Sequence, residues 1–289
     1  MSSASPVYDA SAARRGVAAL EAAGLRIVEA PNVGQARGYL AGTPEQRAGD
    51  LHWAFTEPDV DVVMQIRGGY GSGQVIPLLD FDLVAAHPKP FVGMSDITLL
   101  HLALGRLAGL VTLWGPNCTQ IGRRGSEDSV DRLVEALKGR LPAIAGAETL
   151  CPGRARGRLV GGTTTLLAAS LGTPYEIQTE GCVLLLEDVD VEPYEVDRCL
   201  TQLLQAGKLE GAAGFAVAEH TEVHSEKSFG GHTLELAEVF EDILVPLGRP
   251  AVYGLPLGHC RRTATVPLGV NVELDAGSGT LDVLEPWFG

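Results

Sequence analysis

Ser95, Glu187 and His259 are the residue types that acyl-transfer chemistry uses as nucleophile, orienting carboxylate and general base, and each follows an apolar run. Ser95 comes after Phe91-Val92-Gly93-Met94, Glu187 after Val183-Leu184-Leu185-Leu186, and His259 after the run from Ala251 to Leu257 and Gly258. The order serine, acid, histidine is one of several chain orders that build a triad, so the surroundings of each residue must carry the argument. Ser95 between a short strand and a helix would sit in a sharp turn at a helix N-terminus, where the backbone N–H of Asp96 would stabilise an oxyanion. The pattern G-x-S-D lacks the second glycine of G-x-S-x-G. Each residue also has an ordinary alternative: a serine helix cap, a solvated strand end and a hydrogen-bonded structural histidine.

The segment Arg67-Gly68-Gly69-Tyr70-Gly71-Ser72-Gly73 follows another apolar run. Its glycines allow close backbone approach to a ligand, so Gly69 is a candidate second oxyanion donor and Arg67 a candidate partner for a substrate carboxylate. Phosphate binding and a purely structural turn stay open, although the spacing fits neither the G-x-x-x-x-G-K-[ST] loop nor the G-x-G-x-x-G fingerprint. His220, His224 and His232 lie near Glu219, Glu222 and Glu226, and His220-x-x-x-His224 would place two imidazoles on one helix face. The segment reads as a polar loop without H-E-x-x-H, and no metal is expected there.

The elements that must position these residues alternate. Ala10 to Ala23 has helical spacing ending at Gly24, Leu25 to Glu29 reads as a strand, and Thr43 to Thr56 as a polar helix. Strands are expected over Val60 to Ile66 and Lys89 to Met94, and helices around Leu79 to Ala86 and Asp96 to Leu107, the latter with Ile97, Leu100, His101 and Leu104 on one face. Later strands are expected at Val183 to Leu186, Phe215 to Ala218, Ala251 to Leu257 and Thr263 to Leu274; helices start at Pro193 and near Leu234.

Strands alternating with helices predict an α/β fold with an N-terminal doubly wound parallel sheet over residues 1–140. Residues 141–158, rich in Ala, Gly and Pro, read as a linker, and residues 159–289 as a second domain. A chain of 289 residues supports two cores around a cleft. The formal net charge of −14 argues against a phosphate-backbone partner, because non-specific nucleic-acid binding needs clustered Lys and Arg. The five widely spaced cysteines contain no C-x-x-C pair and read as reduced thiols of a cytoplasmic protein. No signal-peptide pattern opens the sequence and no apolar stretch reaches membrane-spanning length.

Taken together, the blocks Arg67-Gly68-Gly69-Tyr70-Gly71, Phe91-Val92-Gly93-Met94-Ser95-Asp96-Ile97-Thr98-Leu99-Leu100-His101, Gly115-Pro116, Gly161-Gly162, Gly172-Thr173-Pro174-Tyr175, Leu186-Glu187-Asp188, Glu192-Pro193-Tyr194-x-x-Asp197-Arg198 and Pro256-x-Gly258-His259 resemble the LD-carboxypeptidase family of serine peptidases, which includes the microcin C7 self-immunity proteins. The resemblance spans roughly residues 5–275. It implies an N-terminal Rossmann-like domain carrying Ser95 and a C-terminal β-rich α/β domain carrying Glu187 and His259, with the triad closing across the interface. By the same resemblance Gly69 and Asp96 supply oxyanion N–H groups, and Arg67, Gly68, Tyr70 and Trp114 contact the substrate, without metal or organic cofactor.

The activity implied is removal of the terminal D-Ala from a murein tetrapeptide in cytoplasmic wall recycling, by a homodimer that engages neither nucleic acid nor membrane. Two alternatives stand: an amidase of peptidyl or aminoacyl nucleotides in microcin-type immunity, for which Trp114 would stack on a base, and a non-catalytic protein binding in the same cleft. Two departures from the family pattern are expected to matter. The chain opens at Met1-Ser2-Ser3-Ala4-Ser5-Pro6-Val7, inside what is a small-residue loop in the family, so the first sheet strand is expected to be absent; and Trp114 stands where a histidine is usual.

Overall fold

Asp9 starts the first helix, α1 (Ala10–Ala22), by accepting the Ser11 and Ala12 amides at 2.9 Å each. Thr43 and Gln46 form a reciprocal capping box, with Pro44 in the first turn, at the start of α2 (Pro44–Thr56). Short helices α3 (Ser72–Val75) and α4 (Phe81–Ala86) follow, then α5 (Thr98–Leu107), α6 (Cys118–Ile121) and α7 (Glu127–Leu137). Between them run β1 (Val63–Met64), β2 (Phe91–Gly93) and β3 (Thr112–Trp114), every residue of which is buried. They pair in parallel, Val63 opposite Phe91 and Val92 opposite Leu113, and a late strand, β10 (Val266–Leu268), lies beyond β3 in the sheet order. Short apolar runs without alternation are what strands buried on both faces require.

The structure, a computed structural model, describes residues 4–123, 125–225, 230 and 232–288. The chain divides into two units: Met1–Arg140 with Arg261–Pro267, and Leu141–Cys260 with Leu268–Gly289. Two sequence expectations fail in the first unit. Only Val63–Met64 of the run from Val60 to Ile66 forms a strand, and Leu25 to Glu29 forms none. A strand exists only through a hydrogen-bonded neighbour, whereas a cavity of about 300 Å³, lined by Leu25, Ile27, Val62, Met64, Val92 and Leu133, lies beside β1. Among the described residues β1 is the edge of this sheet. Ala4 and Ser5 donate to the carbonyls of Arg67 and Gly68 at 3.3 and 3.2 Å, so the start of the described chain runs beside the segment that follows β1.

The second unit is built on eight strands in the order β4-β12-β11-β6-β7-β8-β9-β5. These are β4 (Ile144–Ala145), β5 (Glu148–Cys151), β6 (Arg154–Thr163), β7 (Val183–Glu187), β8 (Gly214–Ala218), β9 (Ala251–Leu255), β11 (Asn271–Asp275) and β12 (Thr280–Val283). Four of them, β6 to β9, are parallel and joined through α8 (Thr164–Ala169), α9 (Pro193–Gln205) and α10 (Leu236–Leu244). The α9 face made by Val196, Cys199, Leu200 and Leu203 is buried, as the helical spacing predicts. The remaining strands add antiparallel edges.

The segment 141–158 is therefore not a linker. Ile144 pairs with Leu281, Glu148 with Tyr253, and Arg154 to Arg158 with Asp275 to Asn271. Its Gly- and Pro-containing composition looks like a connection because its partners lie more than a hundred residues further on, where local pattern cannot see them.

One buried group in the first unit makes stability depend on pH. His101, on α5, bonds through Nδ1 to the Thr112 hydroxyl and through Nε2 to the Gly93 carbonyl, both at 2.8 Å. A carbonyl accepts only, so Nε2 carries the proton and Nδ1 accepts from Thr112. Burial pushes the imidazole down from 6.5 to about 4. Below pH 6.5 the unfolded chain takes up a proton that the native state refuses. Stability from this site is complete above that pH and is lost as pH falls towards 4, by roughly 3 kcal/mol in all. Chemical denaturation between pH 7 and 4 should show this loss in the wild type and a flatter profile in His101→Gln.

Candidate active site

Ser95 stands two residues past the end of β2, where Met94 is fully extended (φ −157°) and Ser95 itself turns to φ 69° before a short 3-10 turn leads into α5. A left-handed backbone costs a residue with a Cβ roughly 1–2 kcal/mol, and such strain persists where the surroundings impose it. A helix-capping serine has no need of it. The cap position of this turn is Met94, no side-chain cap bond is made, and the Ser95 carbonyl accepts from Thr98 Oγ1 at 2.7 Å. Gly68 presses against this corner: a Cβ there would lie 2.9 Å from Ser95 Cβ and 3.3 Å from Oγ. Only glycine leaves room for the serine.

The loop after β1 is held on several sides. Ser5 Oγ accepts the Tyr70 amide at 2.9 Å and donates to the Tyr70 carbonyl at 3.2 Å. Arg67 donates through Nη1 to the Pro6 carbonyl at 3.0 Å, and its guanidinium lies 4.5 Å from the Tyr8 ring centroid. Tyr70 is exposed, its ring edge-on to Tyr39 at 5.5 Å. The Gly69 amide, with φ 96°, donates to no acceptor among the described residues. Asp96 is the second residue of the 3-10 turn, Ser95–Ile97, where the first N–H groups have no partner within the turn.

Trp114 does not fit its expected role in substrate contact. It is fully buried, packed against His101 at 5.8 Å between ring centroids, and so offers no face for a base. The flanking residues of β3 are apolar or buried, and the indole simply continues that core.

In the second unit Glu187 is the last residue of β7, and His259 lies four residues beyond β9. Glu187 is therefore at, and His259 past, the carboxyl end of a parallel strand, where open α/β sheets place their ligands. Glu187 is completely buried, not a solvated strand end. Its Oε1 accepts the His259 amide at 3.0 Å and His259 Nδ1 at 2.6 Å, while Oε2 accepts Thr163 Oγ1 at 3.2 Å. Gly258 makes this possible: it has φ 88°, and a Cβ there would stand 2.5 Å from Glu187 Cγ and Cδ. Burial alone would raise the Glu187 carboxyl, but the His259 charge and its hydrogen bonds hold it below the ordinary glutamate value. A carboxylate on Nδ1 fixes that nitrogen as the N–H and leaves Nε2 with its lone pair, the state a general base needs.

Asp188 is also buried, accepting Thr165 N and Oγ1 at 2.9 and 2.7 Å in the first turn of α8, which is a structural use. His220 and His224 lie on no common helix face. His220 is buried with Nδ1 on the Ala218 carbonyl at 3.0 Å, and His224 Nε2 meets Asp190 at 2.7 Å. Glu226 lies outside the described residues. Among the described residues no three His, Cys, Asp or Glu side chains gather as metal ligands. Nothing in the sequence marks Ser5, Thr163 or Arg47, because a lone polar residue has no local pattern that shows which loop it will hold.

Comparison with known proteins gives these geometries a common setting. Residues 1–115 match the LD-carboxypeptidase N-terminal domain, and residues 156–274 match its C-terminal domain. A Bacillus subtilis protein named "Probable murein peptide carboxypeptidase" is 39% identical over 274 residues, covering 90% of this chain and 83% of that protein. Among solved structures, muramoyltetrapeptide carboxypeptidase from Oxalobacter formigenes aligns with a TM-score of 0.85 at 27% identity over 99% of both chains. The microcin C7 self-immunity protein shares the fold, with a TM-score of 0.91 at 21% identity over 100% of this chain and 96% of that one. The strained serine after β2, the glycine pressed against it and the buried acid–histidine pair after β7 and β9 thus occur in a chain matched along both of its parts, and this protein belongs to the LD-carboxypeptidase family, S66, and is a peptidase.

Proposed function

We propose that this protein is a serine carboxypeptidase that hydrolyses the L-D amide bond of a murein tetrapeptide and releases the terminal D-Ala. The observation that carries the reading is the buried Glu187–His259 pair, because a carboxylate on Nδ1 prepares a histidine for one task, taking a proton at Nε2. Ser95 is the nucleophile in this reading. His259 takes the hydroxyl proton as Ser95 Oγ attacks the carbonyl of the L-centre, and the Gly69 and Asp96 amides stabilise the tetrahedral oxyanion. His259 then gives the proton to the departing D-Ala amine, and water, activated by the same histidine, releases the tripeptide from Ser95. Arg67 is the cation available for the terminal carboxylate.

The B. subtilis and O. formigenes proteins support the substrate by name. The reduced thiols of all five cysteines accord with a cytoplasmic role in peptidoglycan recycling, and no described helix is long and apolar enough to cross a membrane. Homodimer formation belongs to the same reading and is open to sedimentation analysis. The buried Trp114 has no face for a base and so lends no support to the alternative, a nucleotide amidase.

The test is to incubate the protein with murein tetrapeptide and, separately, with an aminoacyl sulfamoyl adenosine. Free D-Ala from the first and an intact second substrate are expected, with no effect of EDTA. Cleavage of the nucleotide alone would reverse the substrate assignment.

A further inference from the structure

Two buried charges beside the Ser95 corner have no part in the chemistry above. Arg47, on α2, is 2% exposed, and Asp96 is 3% exposed. Arg47 donates through Nη1 to the Gly71 carbonyl at 2.8 Å and through Nη2 to Gln74 Oε1 at 3.0 Å. The Asp96 carboxylate accepts the Ser72 amide at 2.8 Å. The two side chains therefore grip adjacent residues of one loop, Arg47 from a helix and Asp96 from the residue next to Ser95. Burial raises the Asp96 carboxyl, opposed by its bonds to Ser72 and by the Arg47 charge.

Burying opposite charges is costly, and a packed apolar pair generally serves stability as well or better. What an apolar pair cannot do is fix a backbone segment by directional bonds. Ser5 already ties Tyr70 at both its amide and its carbonyl. The Gly68 carbonyl accepts the Ser5 amide at 3.2 Å on one side of Gly69, Tyr70, Gly71 and Ser72 are held on the other, and the Gly69 N–H is left without an acceptor among the described residues. A Cβ on Gly71 would lie within 2.4 Å of Arg47 Nη1, so the guanidinium is seated directly on the backbone it holds.

We propose that Arg47 and the Asp96 carboxylate are positioning residues: they clamp the Gly71–Ser72 segment so that the Gly69 N–H keeps a fixed place relative to Ser95 as the oxyanion forms. This rests on the reading of Ser95 as nucleophile. Displacing one oxyanion donor lowers kcat by roughly 10²–10³-fold, and misplacement by about 1 Å has a similar effect.

The experiment compares Arg47→Met, Arg47→Lys, Gln74→Ala and Asp96→Ala with the wild type on murein tetrapeptide, with activity expressed per folded molecule. Affinity for a peptide aldehyde that forms a tetrahedral adduct with the serine is measured in parallel. Arg47→Met and Asp96→Ala should lower kcat by about 10–10³-fold with KM within about threefold, and should weaken the aldehyde by the same factor as kcat/KM. Arg47→Lys should recover part of the loss, and Gln74→Ala should show a smaller fall in the same direction.

Unchanged kcat per folded molecule, a rise in KM alone, or loss of activity without loss of aldehyde affinity would overturn the clamp. Should Arg47→Met fail to fold, the lysine and Gln74→Ala variants carry the test by themselves. Ser95→Ala separates the two readings. If it is inactive while the clamp variants keep full kcat, the clamp is wrong and the nucleophile stands; if it stays active, the nucleophile assignment itself fails.

Discussion

Replacing Ser95 by alanine is expected to lower kcat on murein tetrapeptide by about 10⁴–10⁶-fold, with substrate binding and folding almost unchanged. The size follows from the step removed: without Oγ no acyl-enzyme forms, and only the amide donors and substrate binding remain. Stability should not fall, because the Ser95 side chain caps no helix. A residue at φ 69° gains little from a hydroxyl, and alanine meets the same backbone strain as serine. The measurement is steady-state release of D-Ala together with thermal unfolding of both proteins. A variant that retained more than about one per cent of kcat would remove Ser95 from the mechanism, whereas an inactive variant that also melted far earlier would point to a structural serine.

The second large effect is at Glu187. Glu187→Gln keeps an acceptor for the His259 amide and Nδ1 and can still face Thr163, so geometry is nearly conserved while the negative charge is lost. In the proposed mechanism that charge stabilises the imidazolium formed as Ser95 attacks. Its loss should lower kcat by on the order of 10²–10⁴-fold, with KM little changed. Glu187→Ala should be as inactive and less stable too, since it leaves a buried amide without an acceptor, at about 1–3 kcal/mol.

The same carboxylate has a pH consequence. Its folded-state value lies below the ordinary one for glutamate, so its contribution to stability is complete above the unfolded value near 4.5 and is lost as pH falls through the lower folded value. This acid loss begins near pH 4.5, at the acid end of the window in which His101 acts, and denaturation of Glu187→Gln against the wild type below pH 4.5 separates the two. Full activity in Glu187→Gln would show that the pair is structural.

The sequence determined the helix starts at Asp9, Thr43 and Pro193, the apolar strands that end beside Ser95 and Glu187, and, through many spaced blocks, the family. These are legible because caps, periodicity and short motifs act over a few residues. Helix α7 and strand β12 fell where the pattern announced nothing, and the strand expected at Leu25 to Glu29 did not form for want of a neighbour.

Only the tertiary structure decided against the ordinary readings of Ser95 and Glu187. Ser95 taken alone is a plausible helix cap, and Glu187 a plausible solvated strand end. The first was settled against capping by a left-handed backbone pressed on Gly68, and the second against solvation by burial under the His259 amide and imidazole. Trp114 went the other way, from expected contact to core. Burial and hydrogen bonding are properties of residues brought together from distant parts of the chain. Glu187 meets the His259 imidazole only when Gly258 and His259, far along the sequence, fold over it, and no local pattern encodes that meeting.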